Sequence, residues 1–348
     1  MLLPSPIAVT GASGFIGSWI VKQLLDEGIE VHATVRDRNS TAKVEHLHEL
    51  AQGAPGKLEL FEADLLQPAG FARAFAGCKV VMHVASPFRI QHVKNPQAEL
   101  IEPALQGTRN VLAAVNATES VERVVLTSSV AAIHSDAMDH QPQALNESLW
   151  NESASLKYQP YAYSKTLAER EAWKIAESQP RWRLVTINPS FVVGPSLSRR
   201  VDATSTDLML QFVDGRAKNG VPDLRLGIVD VRDVAQAHLL AASLGGANGR
   251  HIVSNEVMSF PGIAVQLRAI FGDRYPIPRA ALPKLLMYVV GPFIDFPWRF
   301  TRRNVGVDLA IDNAKSRSAL GLAYRPLAQT LKDCVEQMER LGLLGARQ

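Results

Sequence analysis

Cysteine is nearly absent. Cys78 and Cys334 are the only two in 348 residues, and they form no CxxC pair. A disulfide framework is therefore excluded, and a reducing, cytoplasmic setting is expected. Aromatic residues make up only 7%, and neither sign of charge dominates: 37 Lys and Arg against 34 Asp and Glu leave a formal net charge of +3. No basic run accompanies that small excess, so no nucleic-acid partner is expected. The nine histidines show no HExxH spacing; His46 and His48 read as solvent-facing, and no metal site is expected. Long apolar runs are missing as well. The strongest, Leu285 to Ile294, is ten residues long, is interrupted by Gly291-Pro292 and lies between Lys284 and Asp295. A membrane span needs about 20 residues. The segment reads as a buried helix or a wall of a substrate pocket, with peripheral membrane contact the lesser reading. No basic stretch followed by an apolar one opens the chain, so no signal peptide is expected. What is present, 47% hydrophobic and 20% charged residues, suits a globular protein with a sizeable core.

Against that background Thr10-Gly-Ala-Ser-Gly-Phe-Ile-Gly17 stands out. It follows an apolar run, Ile7-Ala-Val9, and opens an amphipathic stretch, Ser18 to Glu27, which Gly28 ends. The pattern is strand, glycine turn, helix. Glycines at Gly11, Gly14 and Gly17 let backbone amides approach a pyrophosphate at a helix N-terminus, where the dipole favours negative charge. The next strand is Ile29 to Val35. A dinucleotide site that prefers NAD carries an acid at the end of this strand; here Arg36 stands there, with Arg38 and Lys43 close behind. A guanidinium offers a 2′-phosphate a planar donor fork, so the reading is NADP(H). Asp37, beside Arg36, weakens it.

Strand-like and helix-like segments then alternate: Leu58–Phe61, Phe71–Ala76, Val80–Ala85, Pro103–Ala117, Val124–Thr127, Tyr161–Ser178 and Arg183–Ile187. Val80 to Ala85 is almost continuously apolar, as in a parallel sheet covered on both faces. The fold expected is α/β: a Rossmann-type, doubly wound parallel sheet with a smaller mixed α/β C-terminal substrate-binding region. Residues 1–190 form the dinucleotide-binding domain in this reading, 225–255 partly return to it, and 191–348 form the substrate-binding region. Asp230 to Asp233 should cap a helix reaching Ala242, and His251 to Val253 reads as a returning strand. No internal repeat or low-complexity tract is seen.

Tyr161-Ala-Tyr-Ser-Lys165 places Tyr161 and Lys165 one turn apart on one helix face. A free tyrosine has a pKa of about 10, and a neighbouring ammonium is expected to favour the phenolate and bring the group toward acid–base range. Tyr163 is the competing tyrosine, but four residues on it meets Leu167. Thr127-Ser-Ser129 ends a buried strand, where a hydroxyl can donate to a carbonyl or its developing oxyanion. Ser129 is preferred as the catalytic member and Ser128 as structural.

Further motifs join these: Ala33-Thr-Val-Arg-Asp37, Ala63-Asp-Leu65, His83-Val-Ala-Ser-Pro87, Gly107-Thr-Arg-Asn-Val-Leu112, Asn188-Pro-Ser-Phe-Val-Val-Gly-Pro195 and Val229-Asp-Val-Arg-Asp-Val-Ala235. Together they cover nearly the whole chain, which resembles an extended short-chain dehydrogenase/reductase of the dihydroflavonol reductase, cinnamoyl-CoA reductase and aldehyde/ketone reductase branch. The resemblance implies a catalytic set of Ser129, Tyr161 and Lys165. It implies pyrophosphate contacts from Gly11, Ser13, Gly14, Phe15, Ile16 and Gly17, and 2′-phosphate contacts from Arg36 and Lys43. Asp64 and Leu65 would edge the adenine, Val84, Ala85 and Ser86 would line the cofactor path, and Pro189, Ser190 and Val192 would flank the nicotinamide. Tyr161 and Lys165 would also touch the cofactor, the lysine at the nicotinamide ribose.

The chain departs from the family in places. The asparagine that many extended members carry before Gly-Thr as a proton relay is not found in Ile101 to Gln106, which leaves the relay open. The cinnamoyl-CoA reductase signature around the tyrosine is also missing from Tyr158 to Lys165, which speaks against a strict CoA-thioester substrate. The activity expected is NADPH-dependent reduction of an aldehyde or ketone, bulky or aromatic, by a monomer or homodimer with no membrane span. The substrate pocket is expected to be closed by Phe88–His92, Ala131–Asp136 and the loops near Phe191–Leu210. Two alternatives remain. A nucleotide-sugar dehydratase or epimerase of the same scaffold would show an Asp-Glu pair after Thr127 or Val-Tyr-Gly after the serine; here Ser128-Ser129-Val130-Ala-Ala-Ile133 follows. A non-catalytic NADP-sensing regulator would lack the tyrosine or lysine, and both are present.

Overall fold

In the computed structural model, which describes residues 3–86, 93–198, 204–293 and 296–344, seven strands form one parallel sheet. They are β1 (Ile7–Thr10), β2 (Glu30–Val35), β3 (Lys57–Glu62), β4 (Val80–His83), β5 (Arg123–Thr127), β6 (Arg183–Pro189) and β10 (Gly249–Val253). Their order is β10-β6-β5-β4-β1-β2-β3, so the direction of winding reverses between β1 and β4. Ligands of doubly wound sheets bind outside the carboxyl ends of the strands at such a reversal.

Side chains along these strands alternate between two buried layers, because successive residues of a strand point to opposite faces. Ile7, Val9, Val80, Met82, Val125, Val185 and Ile187 pack toward Ile20, Leu24, Leu47, Val234 and Leu239. Ala8, Val81, Val124, Leu126 and Leu184 pack toward Phe71, Phe75, Val111, Val115 and Ala172. The first layer is covered by α1 (Phe15–Asp26), α2 (Thr41–Ala51) and α7 (Val231–Ser243), the second by α3 (Phe71–Phe75), α4 (Glu102–Ala117) and α5 (Pro160–Glu177). Asp230 caps α7, its carboxylate accepting from the Arg232 amide.

The rest builds a second core around Val193, Met209, Phe212, Ile228, Phe260, Leu267, Leu331 and Val335. Its strands are β7 (Phe191–Val193), β9 (Arg225–Asp230) and β11 (Glu256–Ser259) in one small sheet, and β8 (Val221–Pro222) with β12 (Ala281–Leu282) in another. Its helices are α6 (Thr204–Val213), α8 (Phe260–Phe271), α9 (Lys284–Val290), α10 (Trp298–Asn304), α11 (Ala314–Ala319) and α12 (Leu327–Arg340).

Three expectations need correction. His46 does not face solvent: it sits on the inner side of α2 and is buried with Val44 and Leu47. The segment from Leu285 is not buried. Met287 alone turns inward, while Leu285 and Val289 are 80% and 67% exposed; Ile294 lies outside the described residues. The strand expected to reach Ala85 stops at His83. There the Val84 and Ala85 amides, each 3.1 Å away, leave the ladder to donate to the Thr10 hydroxyl.

Burial also decides the state of three histidines. His83 accepts from the Thr10 hydroxyl at 2.9 Å, and burial lowers its pKa to about 3. Burial likewise lowers His238 to about 4 and His251 to about 4, the latter helped by the Lys315 charge. All three are neutral in the native state, whereas in the unfolded chain they protonate near about 6.5. The unfolded state therefore takes up the extra protons as pH falls, and this stability is complete above about pH 6.5 and lost progressively toward pH 4. At about 1.4 kcal/mol per pH unit, His238 and His251 each give up about 2 kcal/mol by pH 5. Urea melts should show a midpoint that is level above about pH 6.5 and falls below it; a midpoint unchanged through that window would contradict neutral buried imidazoles.

Candidate active site

The glycine turn is shaped by close packing. Gly11 has φ +67°, and a Cβ on it would lie 2.8 Å from the Ala85 Cα, so the turns after β1 and β4 meet at the reversal point of the sheet. A Cβ on Gly17 would lie 2.3 Å from the Gly11 carbonyl oxygen. Gly14 stands at the N-cap of α1 and supplies no side-chain cap. The first-turn amides of Phe15, Ile16 and Gly17 therefore have no partner within the helix and are open to an anion. Arg36 follows β2 and Lys43 lies in the first turn of α2; both are exposed, and neither has an ion-pair partner among the described residues. The Asp37 carboxylate accepts from the Asn39 amide at 2.9 Å. Three amides and two uncommitted cations thus fit a dinucleotide that carries a 2′-phosphate. Leu65, Ala85, Ser86 and Lys165 line one crevice with His83, Thr108 and Ser128. Pro189 ends β6, and Val192 lies in β7. Asp64 turns back to accept from the Leu66 amide at 2.8 Å.

The three hydroxyls after β5 have different fates. Thr127 Oγ1 lies 2.6 Å from His238 Nε2. His238 Nδ1, 2.7 Å from the Val234 carbonyl, must carry the ring proton, so Thr127 donates. Ser128 donates to Glu169 Oε2 at 2.5 Å. Ser129 instead accepts from the Ala131 amide at 3.1 Å and is hydrogen-bonded to the Tyr161 phenol.

Tyr161 and Lys165 project from the first turns of α5, which Pro160 opens behind Gln159 in the left-handed region at φ +54°. Lys165 Nζ lies 5.7 Å from the Tyr161 ring centroid and donates to Ser86 Oγ at 2.9 Å. Burial lowers the Lys165 pKa to about 8, although the Glu169 carboxylate pulls the other way. The Tyr161 phenol moves opposite to the expectation. Burial pushes its pKa well above the usual tyrosine value, and the Ser129 hydrogen bond only partly offsets this.

Two residues that sequence reasoning missed organise this site. Glu169, one turn beyond Lys165, is buried and receives Asn188 Nδ2 at 2.7 Å, Thr186 Oγ1 at 3.3 Å and Arg250 Nε at 2.6 Å, besides Ser128. Arg250 also donates to the carbonyls of Glu147 and Leu149 and stacks on Trp150 with its guanidinium carbon 4.0 Å from the ring centroid. The i,i+4 step from Lys165 could have revealed Glu169; Arg250, 81 residues away, has no local signal. Of the expected pocket walls, Phe88–His92 and 199–203 lie outside the described residues. The 131–136 wall is held by Asn151, whose Nδ2 donates to the Ala131 carbonyl and to Ser135 Oγ, both at 2.7 Å. Elsewhere, among the described residues, ligand atoms of Glu30, His32 and Glu59 come within 4.8 Å of one another on β2 and β3; His32 Nδ1 is engaged there by the Ala74 carbonyl at 2.8 Å.

Comparison with known proteins points the same way. The model of the NAD dependent epimerase/dehydratase family matches residues 7–253. A cinnamoyl-CoA reductase of Medicago truncatula is 37% identical over 340 residues, covering 97% of this chain and 96% of its own. A tetraketide alpha-pyrone reductase of Arabidopsis thaliana is 38% identical over 341 residues, with the same coverages of 97% and 96%. Among solved structures, Gre2 of Candida albicans in complex with NADPH superimposes with a TM-score of 0.80 at 31% identity, covering 97% of this chain and 99% of that one. The yeast methylglyoxal/isovaleraldehyde reductase complexed with NADPH gives 0.79 at 28% identity, with coverages of 97% and 99%.

The division among the hydroxyls is measurable. Ser128→Ala strips a partner from a buried carboxylate and should cost about 1–3 kcal/mol. Ser129→Ala removes one cap and should cost about 1 kcal/mol or less. Thermal melts followed by circular dichroism read both; equal losses would contradict the assignment.

Proposed function

The chain belongs to the NAD dependent epimerase/dehydratase family, and within it we propose a carbonyl reductase that uses NADPH to convert an aldehyde or ketone to an alcohol. The observation that carries this reading is the meeting of Ser129, Tyr161 and Lys165 beside the β1–β4 reversal. When bound, the dinucleotide supplies the hydride. Residues 1–190 with part of 225–255 would hold it: the Gly11–Gly17 turn at the pyrophosphate, Arg36 and Lys43 at the 2′-phosphate, Pro189 and Val192 near the nicotinamide. Residues 191–348 would hold the substrate.

The chain's own groups divide the remaining work. Ser129 donates to the carbonyl oxygen and fixes its direction. Tyr161 gives that oxygen a proton as negative charge grows there. The burial that raises the phenol keeps the proton on Tyr161 until the oxygen becomes basic enough to take it. Lys165, cationic below about pH 8, stabilises the charge left on the phenol. A dehydratase would need a free acid here. Glu169 is the carboxylate behind Lys165, and it is enclosed by Arg250, Ser128 and Asn188, which supports reduction. The buried free thiols of Cys78 and Cys334 suit a cytoplasmic setting.

Tyr161→Phe should lower kcat by about 10²–10⁴-fold while NADPH still binds, with NADPH absorbance followed over a panel of aldehydes and ketones. Turnover of a nucleotide sugar with no carbonyl reduced would overturn the reading, and full activity in Tyr161→Phe would remove the tyrosine from it. The double substitution Arg36→Ala, Lys43→Ala should raise the NADPH Kd by about 10–100-fold and leave NADH binding little changed; equal loss for both would remove the 2′-phosphate contact. The reductive kcat/KM should be level below about pH 8 and fall above it as Lys165 deprotonates; a rate that rises through that pH would exclude a required ammonium.

A further inference from the structure

The α9–α10 region exposes apolar side chains that no part of the described chain covers. Leu285 is 80% exposed, Val289 67% and Trp298 66%, with Leu286 and Val290 beside them. The base beneath is firmly built. Met287 anchors α9 in the second core, the Trp298 indole N–H donates to the Tyr288 carbonyl at 2.7 Å, and the Phe296 amide donates to the Gly291 carbonyl at 2.9 Å. Arg303 and Asn304 tie α10 to Asp136, at 2.6 Å and 2.7 Å. Because its N–H is already satisfied, Trp298 offers an apolar ring to the outside.

The charges on these helices have one sign. Lys284 on α9 and Arg299, Arg302 and Arg303 on α10 are the charged residues of the two helices, and neither contains an acid. Arg303 is paired with Asp136 and Asp139. Lys284, Arg299 and Arg302 have no ion-pair partner among the described residues; Arg299 lies over the Tyr158 ring, 3.8 Å from its centroid, and Lys284 Nζ reaches the Arg302 carbonyl at 3.3 Å. The sequence connecting the helices holds one acid, Asp295, outside the described residues.

We propose that this face seats the protein peripherally on an anionic phospholipid surface, with Leu285, Val289 and Trp298 entering the headgroup boundary and Lys284, Arg299 and Arg302 meeting lipid phosphates. Exposed apolar side chains, a tryptophan and cations without acids on the same two helices match such a boundary. A second copy matches it poorly, because a two-fold contact places the same patch on both sides and sets these cations against their own copies. At seven residues α9 is far too short to span, and no helix among the described residues is long and apolar enough to do so. The proposal does not depend on the reductase reading, because its readout is flotation with vesicles.

The test floats the full chain with vesicles of phosphatidylcholine alone and of phosphatidylcholine mixed with phosphatidylglycerol. The protein should rise with the anionic vesicles, weakly or not at all with the neutral ones, and less in high salt. Leu285→Glu with Val289→Glu should abolish flotation while leaving the thermal melt and vesicle-free NADPH oxidation unchanged. Lys284→Glu with Arg302→Glu should lower partitioning by about tenfold or more. Wild-type protein that stays with the dense fraction in both preparations overturns the proposal. So does light scattering that shows a dimer, split to monomers by the Leu285 and Val289 substitutions, in protein that does not float.

Discussion

The buried pair of Glu169 and Arg250 is the constraint on which the site depends. Moving two charges out of water costs several kcal/mol per ion, and only saturated hydrogen bonding offsets it. Here the carboxylate receives Arg250, Ser128, Asn188 and Thr186, while the guanidinium also reaches the carbonyls of Glu147 and Leu149. These partners come from β5, β6, β10, α5 and the segment before α5, so none can shift without leaving a buried charge short of a partner. Ser129 and Lys165 inherit this rigidity. Ser129 follows directly on Ser128, its carbonyl accepts from Asn188 at 3.3 Å, and Lys165 stands one turn before Glu169.

Desolvation outweighs attraction at both Tyr161 and Lys165 on α5. Glu169 favours the charged form of Lys165, yet burial still brings the amine down to about 8. At Tyr161 burial raises the phenol, and the serine hydrogen bond recovers only part of the shift. The expectation that a nearby ammonium governs the phenol weighed the pair and omitted the medium around it. For a proton donor the result is the useful one: at neutral pH the hydroxyl is fully protonated, and the cation beside it matters once the proton has left.

How much of this was legible in the sequence follows the range of each interaction. The glycine turn, the strand-end arginine and the Tyr161–Lys165 step are local patterns, and the choice of Ser129 over Ser128 rested on position at a strand end. The partners that distinguish these hydroxyls, His238 for Thr127 and Glu169 for Ser128, come from helices packed on opposite faces of the sheet. Arg250 arrives from the strand that closes its edge. Such contacts leave no spacing to read. The Leu285 segment misled for a related reason. Apolar composition says that a segment avoids water, but whether the cover is its own core or an outside surface is decided by which turn of the helix carries Met287.

Asp136 plays for residues 131–136 the part that Glu169 plays for the surroundings of Ser129 and Lys165. It is fully buried and receives the Tyr158 hydroxyl at 2.7 Å, Asn304 Nδ2 at 2.7 Å and Arg303 Nε at 2.6 Å. One of these donors comes from the approach to α5 and two from α10. Residues 131–136 are therefore tied to the approach to α5 on one side and to α10 on the other. The two carboxylates share no donor, but both networks reach this stretch: Arg250 Nη2 also donates to the Ala132 carbonyl at 3.5 Å. Side chains of α10 therefore bear on residues 131–136 through Asp136, while Arg250 bears on them through the Ala132 carbonyl, so the two buried anions brace one segment from two sides.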